Sequence, residues 1–284
     1  MRLLNFVKDG RRALGARSGD RIVDLTAAGL PDSVDALLVL GAAGMETAKA
    51  TAARASVTVA SSGVKLLAPV LAPSKAIAVG LNYVDHAAES PYKDAPKYPV
   101  LFHRFASSWV AHDEPLVKPK VSDHFDYEAE VAVVIGTAGR YIAKDKALGH
   151  VAGYSLFNDG SIRDYQFKSH QWMIGKNFDA TASFGPDLVT ADELPAGAVG
   201  LRIQCRLNGE VLQDANTKDM IFDVATLVAT CSEIFRLEPG DVIISGTPAG
   251  VGFARKPPIF MKQGDIVEVE VDKIGVLRNT IRNE

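Results

Sequence analysis

The sequence predicts a β-dominated α+β protein, and three observations support that class. Segments of alternating polar and apolar residues recur, most clearly at 125–135 and 265–271, and such alternation is typical of strands. Asn208-Gly209 separates two further strand-like segments and favours a two-residue hairpin turn. The strand-like segments follow one another in antiparallel-looking runs, without strand–helix–strand alternation. A doubly wound sheet is therefore not expected.

The composition is that of a globular protein. The chain has 284 residues, 47% hydrophobic and 23% charged, with a net charge of −3. Basic and acidic residues are well mixed, so no basic patch predicts nucleic-acid binding, and no apolar run has the length of a membrane span. Two cysteines are too few for a disulfide framework or a thiolate metal site, and the N-terminal apolar run is too short for a signal peptide. We therefore expect a cytoplasmic protein.

Residues 1–70 are predicted to form a small N-terminal α/β domain, and 71–284 a larger catalytic domain. Pro69 and Pro73 interrupt regular secondary structure there and indicate the boundary. A polar, proline-bracketed segment at 92–98 is predicted to be a surface loop and a candidate lid. The other predicted elements are strands at 3–7, 13–17, 21–25, 76–79, 201–207, 210–213, 242–245, 265–271 and 275–281, and helices after Ser33, at 45–54 and after Asp223.

The segment 125–135 carries the strongest chemical signal. In a strand its residues divide into two faces: Tyr127, Ala129, Val131, Val133 and Ile135 on one, and His124, Asp126, Glu128 and Glu130 on the other. The acidic face continues into Ala132 and Val134, so its carboxylates border apolar surface. Two such carboxylates resist burial unless a cation lies between them, and oxygen-only ligands suit Mg²⁺ or Mn²⁺ better than zinc.

Asp159, at the end of another apolar strand, is the natural third ligand. For an isolated Glu-x-Glu, an exposed edge strand is the more common explanation. The apolar continuation of the strand, the position of Asp159 and the nearby Lys176 favour the metal site instead.

His86 and Glu89 are spaced to share one face of a helical turn. A carboxylate beside an imidazole orients the ring, and such a pair can activate water. The alternative is a surface pair that contributes roughly 0.2–0.5 kcal/mol. The pair follows a glycine-bounded apolar strand and precedes the predicted lid, which favours the catalytic interpretation.

Further polar groups follow the same strand ends. Arg163 and Gln166 come soon after Asp159, and Arg163 is either a structural ion-pair partner or a bidentate ligand for a substrate carboxylate. Lys176 is either a solvated lysine or a cation that steadies an enolate. The segment 246–252, Gly-Thr-Pro-Ala-Gly-Val-Gly, lacks the Gly-Lys-Ser/Thr of a phosphate loop, so its glycines and Thr247 are expected to approach a small ligand.

Taken in order, these motifs resemble the fumarylacetoacetate hydrolase family over about residues 77–281. The resemblance rests on Gly-Leu-Asn-Tyr-Val-Asp-His-Ala-Ala-Glu (80–89), Asp-Tyr-Glu-Ala-Glu-Val (126–131), Gly-Tyr-Ser-Leu-Phe-Asn-Asp-Gly-Ser-Ile-Arg-Asp-Tyr-Gln (153–166), Gly-Lys-Asn-Phe-Asp (175–179), Asn-Gly-Glu (208–210), Pro-Gly-Asp-Val-Ile (239–243) and the segment 246–252. Gly160 and Ile162 depart from the commoner family residues, and Arg104 stands where many members carry lysine.

The resemblance implies a mixed β-roll, usually dimeric, with a lid that carries the catalytic pair. It implies Mg²⁺ or Mn²⁺ at Glu128, Glu130 and Asp159. His86 and Glu89 would be catalytic together with Lys176, and the residues expected to touch substrate are Arg104, Arg163, Gln166 and Thr247. The side chains expected to shape the rest of the pocket lie at 92–98 and at Phe105, Trp109 and Trp172.

Three functions remain open at this point. The favoured one is a metal-dependent hydrolase that cleaves a carbon–carbon bond in a 2,4-dioxo acid of the acylpyruvate or fumarylpyruvate type, through an enolate steadied by the metal and Lys176. The alternative is an oxaloacetate-type decarboxylase, or an isomerase, tautomerase or hydratase of 2-oxo-enoates, at the same site. The third is a non-catalytic binder of metal and dicarboxylate, which retention of the whole residue set disfavours.

Overall fold

The computed structural model describes residues 1–54, 57–89 and 95–284. Its strands are β1 (Arg2–Lys8), β2 (Arg11–Ser18), β3 (Arg21–Asp24), β4 (Thr58–Ala60), β5 (Lys65–Leu66), β6 (Ala76–Gly80), β7 (Val100–His103), β8 (Trp109–Val110), β9 (Leu116–Lys118), β10 (Phe125–Asp126), β11 (Ala129–Ile135), β12 (Val151–Asn158), β13 (Ser161–Ile162), β14 (Ala182–Thr190), β15 (Arg202–Leu207), β16 (Glu210–Asn216), β17 (Val242–Ile244), β18 (Ile266–Val271) and β19 (Gly275–Asn283). Its α-helices are α1 (Val34–Val39), α2 (Gly41–Arg54), α3 (Val84–Glu89), α4 (Arg163–Gln166), α5 (Met173–Lys176) and α6 (Val224–Ile234).

The strands form a large mixed sheet and two smaller ones. The large sheet runs β4-β3-β2-β1-β14-β12-β11-β17-β6-β7, with β5 beside β1 and β8 beside β14. A second sheet runs β16-β15-β18-β19-β9, and β10 pairs with β13. Most pairs are antiparallel, but β17 lies parallel to β6, β19 parallel to β9 and β8 parallel to β14. The predicted β-dominated α+β class is confirmed.

Strand β11 separates two apolar cores. Val131, Val133 and Ile135 belong to one core, together with strands β15, β18 and β19. Ala132 and Val134 face the other core, which includes Phe157 and Phe184. Neighbouring side chains of a strand point to opposite faces, so a strand that is apolar on both faces needs cover on both. The acidic residues therefore approach the centre of the molecule and do not lie on an edge strand.

The predicted continuous strand at 125–135 is interrupted at Tyr127 and Glu128. The backbone N–H of Tyr127 donates to the Asp126 carboxylate at 2.8 Å, and that of Glu128 donates to the side-chain oxygen of Asn158 at 3.0 Å. These side-chain acceptors replace strand pairing at the two residues. The interruption lets β10 pair with β13 while β11 pairs with β12 and β17.

The N-terminal strands share a sheet and a core with the rest of the chain. β1 pairs with β14, Leu3 opposite Leu188, and Leu3 and Leu37 pack in the same apolar cluster as Phe184. The division at residue 70 remains a prediction, with the family-like motifs all lying beyond it.

The structure describes only residues 95–98 of the predicted lid, because residues 92–94 lie outside the described ranges. Residues 95–98 form no regular element and are mostly exposed. In the described part of the chain, no helix has both the length and the apolar character needed to cross a membrane.

A salt bridge between β2 and β14 is expected to stabilise the attachment of the N-terminal strands. Arg17 contacts both oxygens of the buried Asp187, at 2.6 and 2.7 Å. Arg17→Met leaves that carboxylate buried without its cation, and we expect a loss of about 1–3 kcal/mol in the free energy of unfolding, less than for a fully buried pair because Arg17 is partly exposed. Chemical denaturation measures it.

Arg12→Met is the matched control, because the Arg12–Asp32 pair is exposed on both sides. We expect less than about 0.5 kcal/mol for this substitution. Equal losses in the two variants would show that the Arg17–Asp187 pair has no special part in holding the strands together.

Candidate active site

Three buried carboxylates meet at the adjacent ends of β11 and β12. Glu128 precedes β11, Glu130 lies within it, and Asp159 follows β12. The antiparallel register sets Ala129 opposite Asn158, which brings these residues together. One oxygen from each carboxylate lies within 4.8 Å of one from each of the others. The convergence of three acidic side chains expected from the sequence is present.

Cationic side chains compensate two of these carboxylates. Lys176 Nζ lies 2.7 Å from Glu128 Oε2 and 2.6 Å from Asp159 Oδ2. Arg163 Nη1 contacts Glu128 Oε1 at 2.7 Å, and Arg104 Nη1 contacts Asp159 Oδ1 at 2.7 Å. Burial by itself raises the pKa of Glu128, but the attraction of Lys176 and Arg163 outweighs it and lowers that pKa to about 2.

Glu130 has the opposite environment. It is 1% exposed, and its carboxylate accepts a hydrogen bond from the backbone N–H of Gly246. Burial raises the pKa of Glu130 well above its ordinary value, and repulsion from Asp159 and Glu128 adds to the rise. A buried carboxylate with two like-charged neighbours is a group that an additional cation would stabilise.

The residues present fit a divalent metal ion. Across the described residues of this cluster, the carboxylates of Asp126, Glu128, Glu130 and Asp159 face three cationic side chains, those of Arg104, Arg163 and Lys176. With all four carboxylates ionised, one negative charge would be left over, and Glu130 is the carboxylate that none of these three cations contacts in a salt bridge. The three converging donors are all carboxylate oxygens, the ligands that Mg²⁺ and Mn²⁺ prefer.

His86 and Glu89 form the expected pair on the short helix α3. His86 Nδ1 lies 2.9 Å from Glu89 Oε1, and both Glu89 oxygens accept from the N–H of Gly250, at 3.1 and 3.0 Å. An imidazole whose Nδ1–H donates to a carboxylate presents Nε2 as a proton acceptor. His86 lines the same cavity as Glu128, Glu130 and Lys176, whereas Glu89 lies behind it.

The residues predicted to touch substrate divide into two groups. Arg163, Gln166 and Thr247 line the cavity. The Thr247 hydroxyl donates to the carbonyl of Ala129 and accepts from the Gln213 side chain, so it braces the site as well as facing it. Arg104 is not part of the cavity wall: it is buried behind Asp159, and burial lowers its pKa despite the attraction of Asp159.

The pocket-shaping residues named from the sequence are partly corrected. Trp172 lines the cavity. Trp109 does not, because its ring packs edge-on against Phe157 and Phe184 in the core. Phe105 lies outside the cavity wall, half exposed beside the His103 ring. Three further residues line the cavity and were not predicted from the sequence: Phe102, Phe167 and Phe253. They belong to three separate segments and share no local sequence pattern.

Asp126 was not singled out from the sequence, yet it organises one side of the site. Its carboxylate accepts from Arg163 Nε at 2.7 Å and from the N–H groups of Gly252 and Phe253 at 2.8 and 3.0 Å. It therefore fixes both the Arg163 guanidinium and the loop that carries Phe253. The available signal was its position two residues before Glu128 on the acidic face.

A strand-rich fold with buried carboxylates, a lysine and a histidine–glutamate pair around one cavity is the arrangement of an enzyme active site, and its carboxylates could hold a divalent metal ion. Comparison with known proteins identifies the family. The sequence model described as "Fumarylacetoacetate (FAA) hydrolase C-terminal" matches residues 75–282. The chain belongs to the fumarylacetoacetate hydrolase family, whose members are enzymes.

Three relatives give the comparison its detail. The chain is 40% identical, over 99% of its length and 90% of the relative's, to "oxaloacetate tautomerase fahd2, mitochondrial" of Xenopus laevis. It superposes with a TM-score of 0.88 on a fumarylacetoacetate hydrolase of Exiguobacterium antarcticum, at 36% identity and full coverage of both chains. The TM-score is 0.83 with a maleylpyruvate hydrolase of Sphingobium in complex with manganese(II) and pyruvate, at 27% identity and coverage of 100% and 99%.

The expected cytoplasmic location is wrong by this comparison. The oxaloacetate tautomerases of Xenopus laevis, human and rat that resemble the chain are all named mitochondrial. The cysteine count indicates only a reducing environment, which does not single out the cytoplasm.

The charge balance of the site predicts opposite effects of one substitution with and without metal. In EDTA, Glu130→Gln removes a buried, repelled carboxylate and supplies an amide N–H for Asp159 or Glu128. We expect the free energy of unfolding to rise by about 1–2 kcal/mol. With Mn²⁺ at about 100 times its Kd, the unmodified protein gains about 2.7 kcal/mol, and the variant gains far less.

Thermal melting with and without Mn²⁺ measures both effects. Glu210→Gln is the control, because Glu210 is an exposed carboxylate on another sheet. Equal Mn²⁺-dependent shifts in the Glu130→Gln variant and the unmodified protein would contradict the ligand assignment.

Proposed function

We propose that this protein is a metal-dependent keto–enol tautomerase of oxaloacetate-type 2-oxo diacids. The observation that carries the proposal is the placement of one oriented imidazole, that of His86, in a cavity also lined by Lys176, Arg163 and two members of the acidic triad, Glu128 and Glu130. The 40% identical relative over 99% of the chain, an oxaloacetate tautomerase by name, supports the reaction class. The proposal therefore takes up the alternative from the sequence and sets hydrolysis second.

The proposed reaction moves one proton and breaks no carbon–carbon bond. His86 Nε2 removes a proton from C3 of the keto form, the C–H electron pair forms the C2–C3 double bond and the C2–O π pair moves onto the 2-oxo oxygen. That oxygen then takes up the proton that the His86 imidazolium releases, directly or through solvent, so the neutral imidazole is restored. Glu89 holds the ring in the tautomer with Nε2 free and steadies the imidazolium that forms.

Charge on the 2-oxo oxygen is the main barrier to this reaction. Glu128, Glu130 and Asp159 would hold Mg²⁺ or Mn²⁺, and the ion would supply Lewis acidity to the reaction. The Lys176 ammonium, fixed between Glu128 and Asp159, adds a second positive charge to the cavity wall. Preorganised cations of this kind stabilise an enolate without reorganising during the reaction.

Arg163 is the proposed receptor for the distal carboxylate of the diacid. Its Nη2 is buried and has no hydrogen-bond partner within the ranges the structure describes, although Nε and Nη1 are engaged. A guanidinium with a free edge in a cavity wall suits a carboxylate. Small 2-oxo acids are therefore the proposed ligands, without nucleic acid or membrane, and a homodimer is the proposed assembly, to be tested by light scattering.

Hydrolysis of acylpyruvates is the second candidate function. An imidazole–carboxylate pair that can take a proton from C3 can also take one from water, so the same residues support attack on a distal carbonyl. The maleylpyruvate hydrolase that superposes on the chain holds manganese(II) and pyruvate, which supports the same type of site for both reactions. Pyruvate release from acylpyruvates, compared with tautomerisation at equal enzyme, distinguishes the two.

Loss of the imidazole is expected to abolish most of the activity. Ultraviolet absorbance of the oxaloacetate enol follows the reaction in the presence of Mg²⁺ or Mn²⁺. His86→Asn should lower kcat/KM by about 100-fold or more, the usual contribution of a general base. Glu89→Gln should lower it less, because the base itself remains.

Asp85→Asn is the matched control on the same helix, since Asp85 is exposed and lies outside the cavity wall. EDTA should remove the activity of the unmodified protein and added Mn²⁺ should restore it. Full activity of His86→Asn, or full activity in EDTA, would refute the proposed function.

A further inference from the structure

The cavity wall combines charged groups with aromatic rings. Lys176 Nζ lies 5.4 Å from the ring centroid of Phe102, and Phe102 meets Trp172 edge-on at 5.8 Å. Arg163 stacks on Phe253 at 4.7 Å, and Phe253 contacts Phe167 at 5.7 Å. Each of these two cations therefore contacts one aromatic ring, which in turn contacts a second, and all four rings line the cavity. The charged groups suit the head of a 2-oxo acid, and the rings meet whatever extends from it.

Trp172 occupies the space that a side chain at position 80 would need. A Cβ added to Gly80 would lie 2.1 Å from Trp172 Cζ3 and 2.9 Å from Cη2. Because Gly80 ends β6 with an ordinary negative φ, the glycine is required here for space and not for backbone conformation. The missing side chain lets the indole lie directly against the end of the strand, four residues before the helix that carries His86.

The cavity is small. The free volume beside the charged groups is about 30 Å³, so a bound 2-oxo acid would lie in close contact with the side chains of the wall. In so tight a space the largest ring of the wall decides how much chain can follow the reacting head.

We propose that Trp172, seated against Gly80, limits the length of the 2-oxo acid that the site accepts. The ring favours short diacids over acylpyruvates that carry a longer chain beyond C4. This inference rests on the proposed function, because it assumes that the 2-oxo acid head lies at the acidic triad.

Shortening the side chain should move the length preference. Enol decay is measured for oxaloacetate and for straight-chain acylpyruvates of increasing length, with Mn²⁺ present. Trp172→Ala should raise the ratio of kcat/KM for a long acylpyruvate to that for oxaloacetate by about 10-fold or more, the scale on which a pocket discriminates one or two methylenes. Trp172→Phe should give a smaller shift in the same direction.

A double-mutant cycle tests the contact with Gly80. Gly80→Ala should displace the indole and lower kcat/KM for oxaloacetate severalfold. In the Trp172→Ala background the same change should have little effect, because no ring remains to collide with the new Cβ. Equal effects of Gly80→Ala in both backgrounds would overturn the assigned contact.

Phe167→Ala is the matched control, since it removes a ring from the other row of the same cavity. An equal length shift in Phe167→Ala and Trp172→Ala would overturn the specific role of Trp172 in favour of cavity volume in general. An unchanged length preference in Trp172→Ala, with thermal melting and Mn²⁺ binding retained, would also overturn it.

Calorimetric binding separates this inference from the proposed function. Saturated 2-oxo diacids of increasing length are titrated into the Mn²⁺-loaded protein and its Trp172→Ala variant. If no tautomerisation is found but the variant binds longer diacids relatively better, the reaction class is wrong and the length limit stands. If tautomerisation is found and the binding series is unchanged, the length limit is wrong and the function stands.

Discussion

The antiparallel pairing of β11 with β12 is the constraint on which the site depends. Both strands are covered by apolar side chains on both faces, so their ends lie where water does not reach. The register that sets Ala129 opposite Asn158 gathers three carboxylates there. Such a group of charges is tolerated only with compensation, and Lys176, Arg104 and Arg163 provide most of it. The remaining imbalance at Glu130 is a charge that a divalent cation would balance.

The loop after β17 is held in place by the same acidic residues. Gly246 donates its N–H to Glu130, Gly250 to Glu89 and Gly252 to Asp126. Side chains at these glycines would collide with neighbours: a Cβ at Gly252 would lie 1.9 Å from the Ile259 carbonyl oxygen, and one at Gly250 2.3 Å from that of Leu212. The loop therefore connects the histidine–glutamate pair, the acidic triad and Asp126, the residue that holds the Arg163 guanidinium. A change in any of these carboxylates also disturbs the backbone that positions the others.

The chemistry-bearing residues were predictable because each stands in a local pattern. The i, i+2 spacing of Glu128 and Glu130 and the i, i+3 spacing of His86 and Glu89 survive folding, since strands and helical turns preserve such spacings. The predicted strands and the helix after Asp223 were confirmed with small shifts of their ends.

What depends on tertiary contact was not predictable. The interruption of the strand at Tyr127 and Glu128 depends on Asn158, which belongs to another strand. The salt bridge between Arg104 and Asp159 joins segments that are distant in the sequence. The aromatic wall joins rings from β7, from the residue after α4 and from the loop after β17, and no spacing in the sequence relates these three positions. Trp109 and Trp172 could not be told apart from the sequence. Only their packing shows that the Trp109 ring lies in the core and the Trp172 ring in the cavity wall.

Proton transfer and hydrolysis, the two proposed reactions, differ more in the space they need than in the residues they use. Both reactions pass through an enolate, and carboxylates, lysine and imidazole would serve either one. Hydrolysis needs room for an attacking water beside a second carbonyl, whereas tautomerisation needs only the imidazole and the C3 proton within reach. Trp172 lines the cavity in which either reaction would take place. Under the proposed function, the aromatic wall does no chemistry itself but would limit the length of the acid that reaches the charged groups.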